Sequence, residues 1–186
     1  MKKYDVIIIG AGAAGLMCGI EAGKRGRKVL ILDKADKVGK KILISGGGRC
    51  NFTNLYTEPD NFLSANPHFC KSALSRYTQW DFIALMESHG LSWEEKSLGQ
   101  LFCDQKAKAV VELLVDEYTS ANVTIELRSN IKNITKDDDF TISTSAGDYS
   151  ATSLVIATGG PSIPAMGSTD LALTIAKQFS MNTLPF

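Results

Sequence analysis

Six small residues, Gly10-Ala11-Gly12-Ala13-Ala14-Gly15, follow directly on a short β-branched run from Tyr4 to Ile9. That order predicts a strand, a tight turn and the start of a helix. Gly10 permits the turn, Gly12 lets the backbone approach a pyrophosphate, and Gly15 lets the helix pack closely on the strand. Unpaired N–H groups and the helix dipole favour an anion at that helix end, where Ala13 and Ala14 lie. The helix is expected to run to about Arg25, with Leu16 and Ile20 on one face and Gly19 and Gly23 along a close-packing edge, and to end at Gly26.

Lys28 to Leu32 reads as the next buried strand, and Asp33 follows eighteen residues after Gly15. A carboxylate at about that spacing accepts hydrogen bonds from ribose hydroxyls and would repel a 2′-phosphate. A glycine fingerprint alone is common. Strand, helix, second strand and acid in order within thirty residues point to a nucleotide site; the alternative is an ordinary strand-to-helix turn followed by a surface aspartate.

A second glycine loop, Ser45-Gly46-Gly47-Gly48-Arg49-Cys50-Asn51, begins twelve residues after Asp33. Three consecutive glycines carry a large unfolded-state entropy and suit a place where side chains would clash with a ligand. Two backbone-lined loops flanking one acid imply a ligand longer than ADP, read here as FAD. Around the loop, Lys34, Lys37, Lys40, Lys41 and Arg49 exceed Asp33 and Asp36 by three charges. Lys40, Lys41 and Arg49 are expected to meet the ligand, Arg49 with a bidentate fork suited to phosphate. A solvated loop accounts for Lys37, and equally for Lys34, which stays in the candidate set by its place beside Asp33. Asn51, Thr53 and Asn54 can either cap turns or bond a ring edge. Cys50, with no cysteine near it in sequence, reads as a small structural residue.

Lys2 and Lys3 before Val6–Ile20 imitate a secretory leader, but Asp5 and the glycines interrupt the apolar segment, which is shorter than the ~20 residues of a membrane span. Cys18, Cys50, Cys70 and Cys103 show no paired spacing, so neither a disulfide framework nor a structural zinc site is expected. Twenty basic and twenty acidic residues leave no net charge, which argues against broad capture of nucleic acid or an acidic membrane. These features predict a cytoplasmic protein with a small-molecule substrate, no metal, no nucleic acid and no membrane partner.

The remainder reads as support. Helices are expected over 67–78, 80–88 and 105–120, with His89-Gly90 as a helix end and neither His68 nor His89 catalytic. Trp93 and Phe102 fall in short strands. Val123–Leu127 is expected as a buried strand, 131–135 and 140–144 as a hairpin turning at Lys136-Asp137-Asp138-Asp139, and Tyr149 as the start of a return strand. Leu154–Ala157 is expected as a separate buried strand delivering Thr158-Gly159-Gly160-Pro161 to the Gly10 edge. Ser168 or Thr169 would start a last helix lined by Leu171, Ile175 and Phe179.

The segments IIIGAGAAGLM at 7–17, VGKKILISGGGRCNFTN at 38–54 and VIATGG at 155–160 resemble the BaiN-like or aminoacetone-oxidase-like bacterial flavoproteins, of the two-dinucleotide-domain oxidoreductases. The middle segment is specific, the outer two are widespread, and the resemblance covers essentially the whole chain. It implies an α/β, Rossmann-like FAD-binding domain over 1–186 with a central parallel sheet, flanking helices and a small antiparallel meander. It further implies FAD reduced by NAD(P)H, with one branch reducing carbon–carbon double bonds conjugated to a ketone in bile-acid intermediates. By matching motif, Gly10, Gly12, Ala14 and Gly15 would meet the pyrophosphate, and Asp33, often Glu in relatives, the ribose. Lys40, Lys41 and Gly46 to Arg49 would follow the ribityl and flavin portion. Ile131 would face adenine, and Thr158-Gly159 would close over the cofactor. Family members are about twice this length, so a fragment lacking an inserted substrate domain and a return segment is expected. No proton donor is assigned, and a non-catalytic dinucleotide-binding module or an inactive fragment stays open.

Overall fold

The computed structural model describes residues 1–160 and 169–183, and these fall into two compact units. One comprises Met1–Lys41 and the chain from Leu114 onward; the other is Ile42–Leu113.

The first unit is built on a six-stranded mixed sheet. Its strands are β1 (Lys2–Ile9), β2 (Val29–Leu32), β6 (Thr124–Glu126), β7 (Ile131–Lys136), β8 (Phe140–Thr144) and β9 (Asp148–Ile156), in the order β6-β2-β1-β9-β8-β7. The first four in that order run parallel, and β9-β8-β7 is antiparallel. Near-continuous aliphatic sequence marks strands covered on both faces. Accordingly Ile7, Ile8, Leu30, Ile31 and Leu32 have no solvent exposure.

Helix α1 (Ala13–Lys24) lies on this sheet because its glycines allow it to. A Cβ at Gly19 would come within 2.8 Å of Ile31 Cδ1, and one at Gly23 within 2.5 Å of the Ala121 carbonyl. Leu16 and Ile20 are buried, Arg25 is the C-cap, and Gly26 takes φ +73°, as the sequence predicts. Helix α6 (Leu171–Gln178) sets Leu171, Ile175 and Phe179 against the cluster of Tyr4, Ile9, Ile134, Ile142 and Tyr149. Asp170 is its N-cap residue, and Thr169 Oγ1 accepts from the Leu171 N–H at 3.4 Å. Pro161 and Ser168 lie outside the described residues.

Three sequence expectations are corrected in this unit. The Tyr149 strand and the Leu154–Ala157 strand are one nine-residue element, β9, so the meander is an extension of the central sheet, which is therefore mixed. Leu154, Val155 and Ile156 are only half-buried. Within 123–127 only Val123 is buried: β6 is a short edge strand bonded to β2 alone, with Thr124 exposed.

The second unit carries a three-stranded antiparallel sheet, β3 (Asn51–Asn54), β5 (Gln100–Cys103) and β4 (Trp93–Glu95), in the order β3-β5-β4. Helix α4 (Gln79–Ser88) begins at a capping box in which Thr78 and Asp81 bond each other's backbone, and it ends at His89 with Gly90 at φ +70°. The helix expected over 67–78 is only α3 (Lys71–Arg76), since Ser64 and Asn66 side chains hold 64–68 in turns. Two helices carry the chain between units, α2 (Lys40–Ile44) and α5 (Lys106–Ser120). Ala107, Val110, Val111 and Leu114 of α5 are buried at helical spacing.

Candidate dinucleotide-binding site

The parallel strands end together at one edge of the first unit. The Gly10 N–H donates to the Leu32 carbonyl at 2.8 Å, and the Ala157 N–H to the Ile9 carbonyl at 2.8 Å. Gly10 takes φ +116°, and a Cβ there would lie 2.4 Å from the Ala157 oxygen. A Cβ at Gly15 would lie 1.8 Å from the Gly10 oxygen. Both glycines are thus fixed by close backbone approach inside the protein.

Gly12 differs. It is the N-cap residue of α1, with φ −84° and ψ −174°, and a Cβ there would meet no described atom within 4 Å. No side chain caps α1 and its first turn holds no acid. Helix geometry leaves the N–H groups of that turn without an intrahelical partner, and Ala13 and Ala14 beside them are exposed. A diphosphate fits this arrangement, since it offers acceptors and negative charge where the helix end offers donors and no competing carboxylate.

Asp33 organises the next part of the rim. Its Oδ2 accepts from the Ala11 N–H at 2.6 Å and its Oδ1 from the Ala35 N–H at 2.8 Å. Each carboxylate oxygen keeps a further acceptor direction for a ribose hydroxyl. The 128–129 turn is tied to the same loop, with Ser129 N–H donating to the Asp33 carbonyl and Arg128 N–H to the Ala35 carbonyl, each at 2.9 Å. Ile131, at the start of β7, follows this turn. Ser129 was not foreseen: its hydroxyl is buried without a hydrogen-bond partner among the described residues. Only the through-space link to Asp33 marks it, and sequence spacing carries no such signal.

The lysines divide. Lys34 and Lys37 are exposed, as a solvated loop predicts. Lys40 pairs with Asp36 at 2.9 Å, and that hydrogen bond holds the Asp36 carboxyl below its ordinary range. The Lys41 ammonium lies 3.8 Å from where a Cβ on Gly159 would stand, so Lys41 and the Thr158-Gly159 segment share one rim. Gly39 N–H donates to the Ala11 carbonyl at 2.8 Å, which anchors the start of α2 to the first glycine loop.

In the second unit, Ser45–Gly48 forms a tight 3-10 turn in which Gly46, Gly47 and Gly48 all take positive φ. A Cβ at Gly46 would lie 2.6 Å from Phe102 Cε1, whereas one at Gly47 would meet nothing within 4 Å. Arg49 sets its guanidinium 5.4 Å from the Phe102 ring centroid and 3.9 Å from Glu94. Phe102, unsuspected from sequence, is thus the platform of this loop. Asn51 starts β3 and is exposed. Asn54 is a turn residue, accepting from the Tyr56 N–H and donating to the Leu98 carbonyl.

Cys50 has no cysteine near it in sequence, but the fold brings Cys103 beside it. Antiparallel pairing sets Asn51 opposite Phe102, and the Cys103 N–H donates to the Cys50 carbonyl at 3.3 Å. Both thiols are buried, and burial pushes both above the ordinary thiol pKa, which disfavours the reactive thiolate. Among the described residues no group of three His, Cys, Asp or Glu could hold a metal ion, and no helix is long and apolar enough to cross a membrane.

Comparison with known proteins places these features in a lineage. The chain is 55% identical, over all 186 residues, to the ribosomal RNA dihydrouridine synthase of Escherichia coli K12, covering 46% of that protein. It is 26% identical over 182 residues to the 3-dehydro-bile acid delta(4,6)-reductase of Clostridium scindens, covering 96% of this chain and 44% of that one. The bile-acid branch of the resemblance is therefore a distant relative. The chain spans about half the length of the curated relatives it matches. Among solved structures, glycine oxidase from Geobacillus kaustophilus superposes with a TM-score of 0.58 at 17% identity, over 98% of this chain and 60% of that one, which shows the shared fold. Residues 4–186 match the HI0933-like protein Rossmann domain, and the chain belongs to that family.

Proposed function

We propose that this chain is the FAD-holding part of a cytoplasmic reductase that saturates the C5–C6 double bond of a uracil base in ribosomal RNA, with NAD(P)H as the electron source. The observation that carries the cofactor reading is the open, uncapped start of α1 behind Gly12, beside an Asp33 already oriented by two backbone N–H groups. In this reading Gly10–Gly15 hold the pyrophosphate, Asp33 the adenosine ribose, and the 128–131 turn the adenine edge. Lys41 and Thr158-Gly159 line the path onward. Gly46–Arg49 and Asn51 are assigned to the flavin half, supported by their sequence and by the five-residue helix α2 that joins the two loops. Bound FAD would supply the two-electron chemistry by which NAD(P)H and a proton convert an alkene conjugated to a carbonyl into its saturated form, leaving NAD(P)⁺.

The substrate class is supported by the 55% identity to a ribosomal RNA dihydrouridine synthase. Uracil's C5–C6 bond is conjugated to its C4 carbonyl, so the electronic demand matches the unsaturated-ketone acceptor that the family resemblance implies. Zero net charge weighs against capture by overall electrostatics and leaves local recognition open. A small unsaturated ketone is the second reading, favoured by the bile-acid reductase relative. The test is to quantify dihydrouridine in ribosomal RNA from cells lacking the gene and from cells complemented with it, alongside anaerobic bleaching of the purified protein's flavin by NADH and NADPH. Restored dihydrouridine and bleaching support the proposal; unchanged dihydrouridine rejects the RNA substrate, and a colourless protein that releases no FAD on denaturation rejects the cofactor.

A further inference from the structure

Phe102 carries two cations on one ring. The Lys96 ammonium lies 4.7 Å and the Arg49 guanidinium 5.4 Å from its centroid, while its Cε1 edge closes on Gly46. The strand register explains the assembly. Glu94 stands opposite Phe102 in the β4–β5 ladder, which puts both side chains on one face, and Lys96, two residues on from Glu94, joins them there. The Lys96 N–H donates to the Gln100 carbonyl at 2.8 Å, which closes the hairpin at this residue. No motif in the sequence singles out Lys96.

One carboxylate serves both cations. Glu94 Oε1 is 3.5 Å from Lys96 Nζ and 3.9 Å from Arg49 Nη1, longer than the about 2.7–2.9 Å of a charge-assisted hydrogen bond. The hairpin has two other acids. Glu95 pairs with Leu101 and so lies on the opposite face of the sheet, and Asp104 sits beside Ser92 at the far end, forming no ion pair with Arg49 or Lys96 among the described residues. A positive charge is therefore left over beside the Gly46–Gly48 turn, where a Cβ on Gly47 would meet nothing within 4 Å. Holding two like charges on one ring is unfavourable, and an anion beside them offsets that repulsion. The Lys96 side chain is only 29% exposed, so solvent screens it less than a free surface lysine.

We propose that Lys96, together with Arg49, is the positive pole that sets the reduction potential of the flavin in this protein, and that Glu94 tunes it by partial neutralisation. The inference rests on the reading above that the Gly46–Arg49 turn holds the flavin half of FAD. Oxidised isoalloxazine is neutral. On taking a hydride at N5 from NAD(P)H it becomes an anion, its charge spread over N1 and the C2 oxygen, and NAD(P)⁺ is released, so atoms and charge balance. A cation beside the ring binds the reduced form more tightly than the oxidised form, and that difference is a higher reduction potential. Phosphates of NAD(P)H or RNA would be met as well by cations elsewhere on the surface; the position against the glycine turn favours the flavin.

The experiment measures the midpoint potential of the flavin in the purified, FAD-loaded protein by equilibration with a reference dye at fixed pH. Lys96→Gln is expected to weaken the preference for reduced flavin about tenfold, a potential lower by about 30 mV, and Lys96→Arg to keep the wild-type value. Glu94→Gln should move the potential the opposite way, and the double variant should fall between the two single ones. Oxidised FAD, followed by flavin fluorescence, should bind every variant within about fivefold of wild type. A merely structural role would change stability and FAD affinity without producing shifts of opposite sign. Should Lys96→Gln fail to hold FAD, the upward shift in Glu94→Gln decides alone. Unchanged potentials, or shifts in the same direction, would overturn the proposal; so would unchanged potentials with weakened binding of NAD(P)H or RNA, which would assign the cations to a phosphate. A wild-type protein that holds no FAD would reject the cofactor reading and this inference with it, whereas bound FAD with unmoved potentials rejects this inference alone.

Discussion

Alanine at Gly15 and alanine at Gly12 add the same methyl group three residues apart, and the geometry sends them to different fates. At Gly15 the new Cβ would stand 1.8 Å from the Gly10 oxygen, 1.2 Å inside the 3.0 Å below which real contacts essentially do not occur. Neither partner is a flexible side chain, so α1 must lift or the loop must open. Overpacking of this kind costs about 1–3 kcal/mol or more, against about 1 kcal/mol recovered from helix propensity. A net loss of up to about 2 kcal/mol corresponds to a melting temperature lower by as much as roughly 4–8 °C for a chain of this size. At Gly12 the methyl meets nothing within 4 Å and φ −84° suits alanine. A poorer N-cap, about 0.5–1 kcal/mol, is offset by the reduced entropy of the unfolded chain, so the flavin-free protein should change by less than about 0.5 kcal/mol. The methyl occupies the space assigned to the pyrophosphate, so FAD affinity should fall at least tenfold. Urea denaturation of flavin-free protein gives the first pair of numbers, and flavin fluorescence titration the second. Equal destabilisation by both substitutions, or wild-type FAD affinity in Gly12→Ala, would refute the assignment of that space to a ligand.

Other perturbations follow from single contacts. Asp33→Asn replaces one acceptor by a donor facing a backbone N–H, so one of the bonds to Ala11 or Ala35 is lost; a stability loss of about 1–3 kcal/mol is expected in urea denaturation. Gly46→Ala should disrupt the second loop, since its Cβ would press on Phe102 and on the Asn51 nitrogen, whereas Gly47→Ala should cost only the left-handed penalty of about 1–2 kcal/mol. Burial, then the hydrogen bond to Glu126, pushes the Tyr149 hydroxyl up to about 12. The unfolded chain therefore loses this proton near pH 10 while the folded chain keeps it, so stability present below pH 10 declines between about pH 10 and 12. Tyr149→Phe should flatten that decline, leaving a smaller part from Tyr4, whose pKa is raised by burial and Glu126. In mass-spectrometric alkylation of the native protein, half-buried Cys70 should be modified before buried Cys50 and Cys103.

What could be read from the sequence was what depends on neighbours along the chain. The Gly10–Gly15 turn, the capping at His89-Gly90, the α1 face of Leu16 and Ile20, and Asp33 at the end of a strand are local patterns whose physics lies within about twenty residues. Pairings across the sheets were not legible. Cys103 beside Cys50, Phe102 beneath Gly46 and the Ser129 N–H on the Asp33 carbonyl join residues distant in sequence. The fusion of two expected strands into β9 has a related cause. Polar Ser150, Thr152 and Ser153 break the apolar run, yet β1 on one side and β8 on the other supply hydrogen bonds that keep the chain extended. The reverse error, at 67–78, arose where short polar side chains bonded the local backbone more effectively than a helix would.

Amide hydrogen exchange of the FAD-loaded protein against the flavin-stripped protein tests most directly whether the two glycine loops serve one cofactor. Slower exchange on loading is expected at the first turn of α1 and at 46–51 together. Protection confined to the first turn of α1, with exchange at 46–51 unchanged, would contradict it.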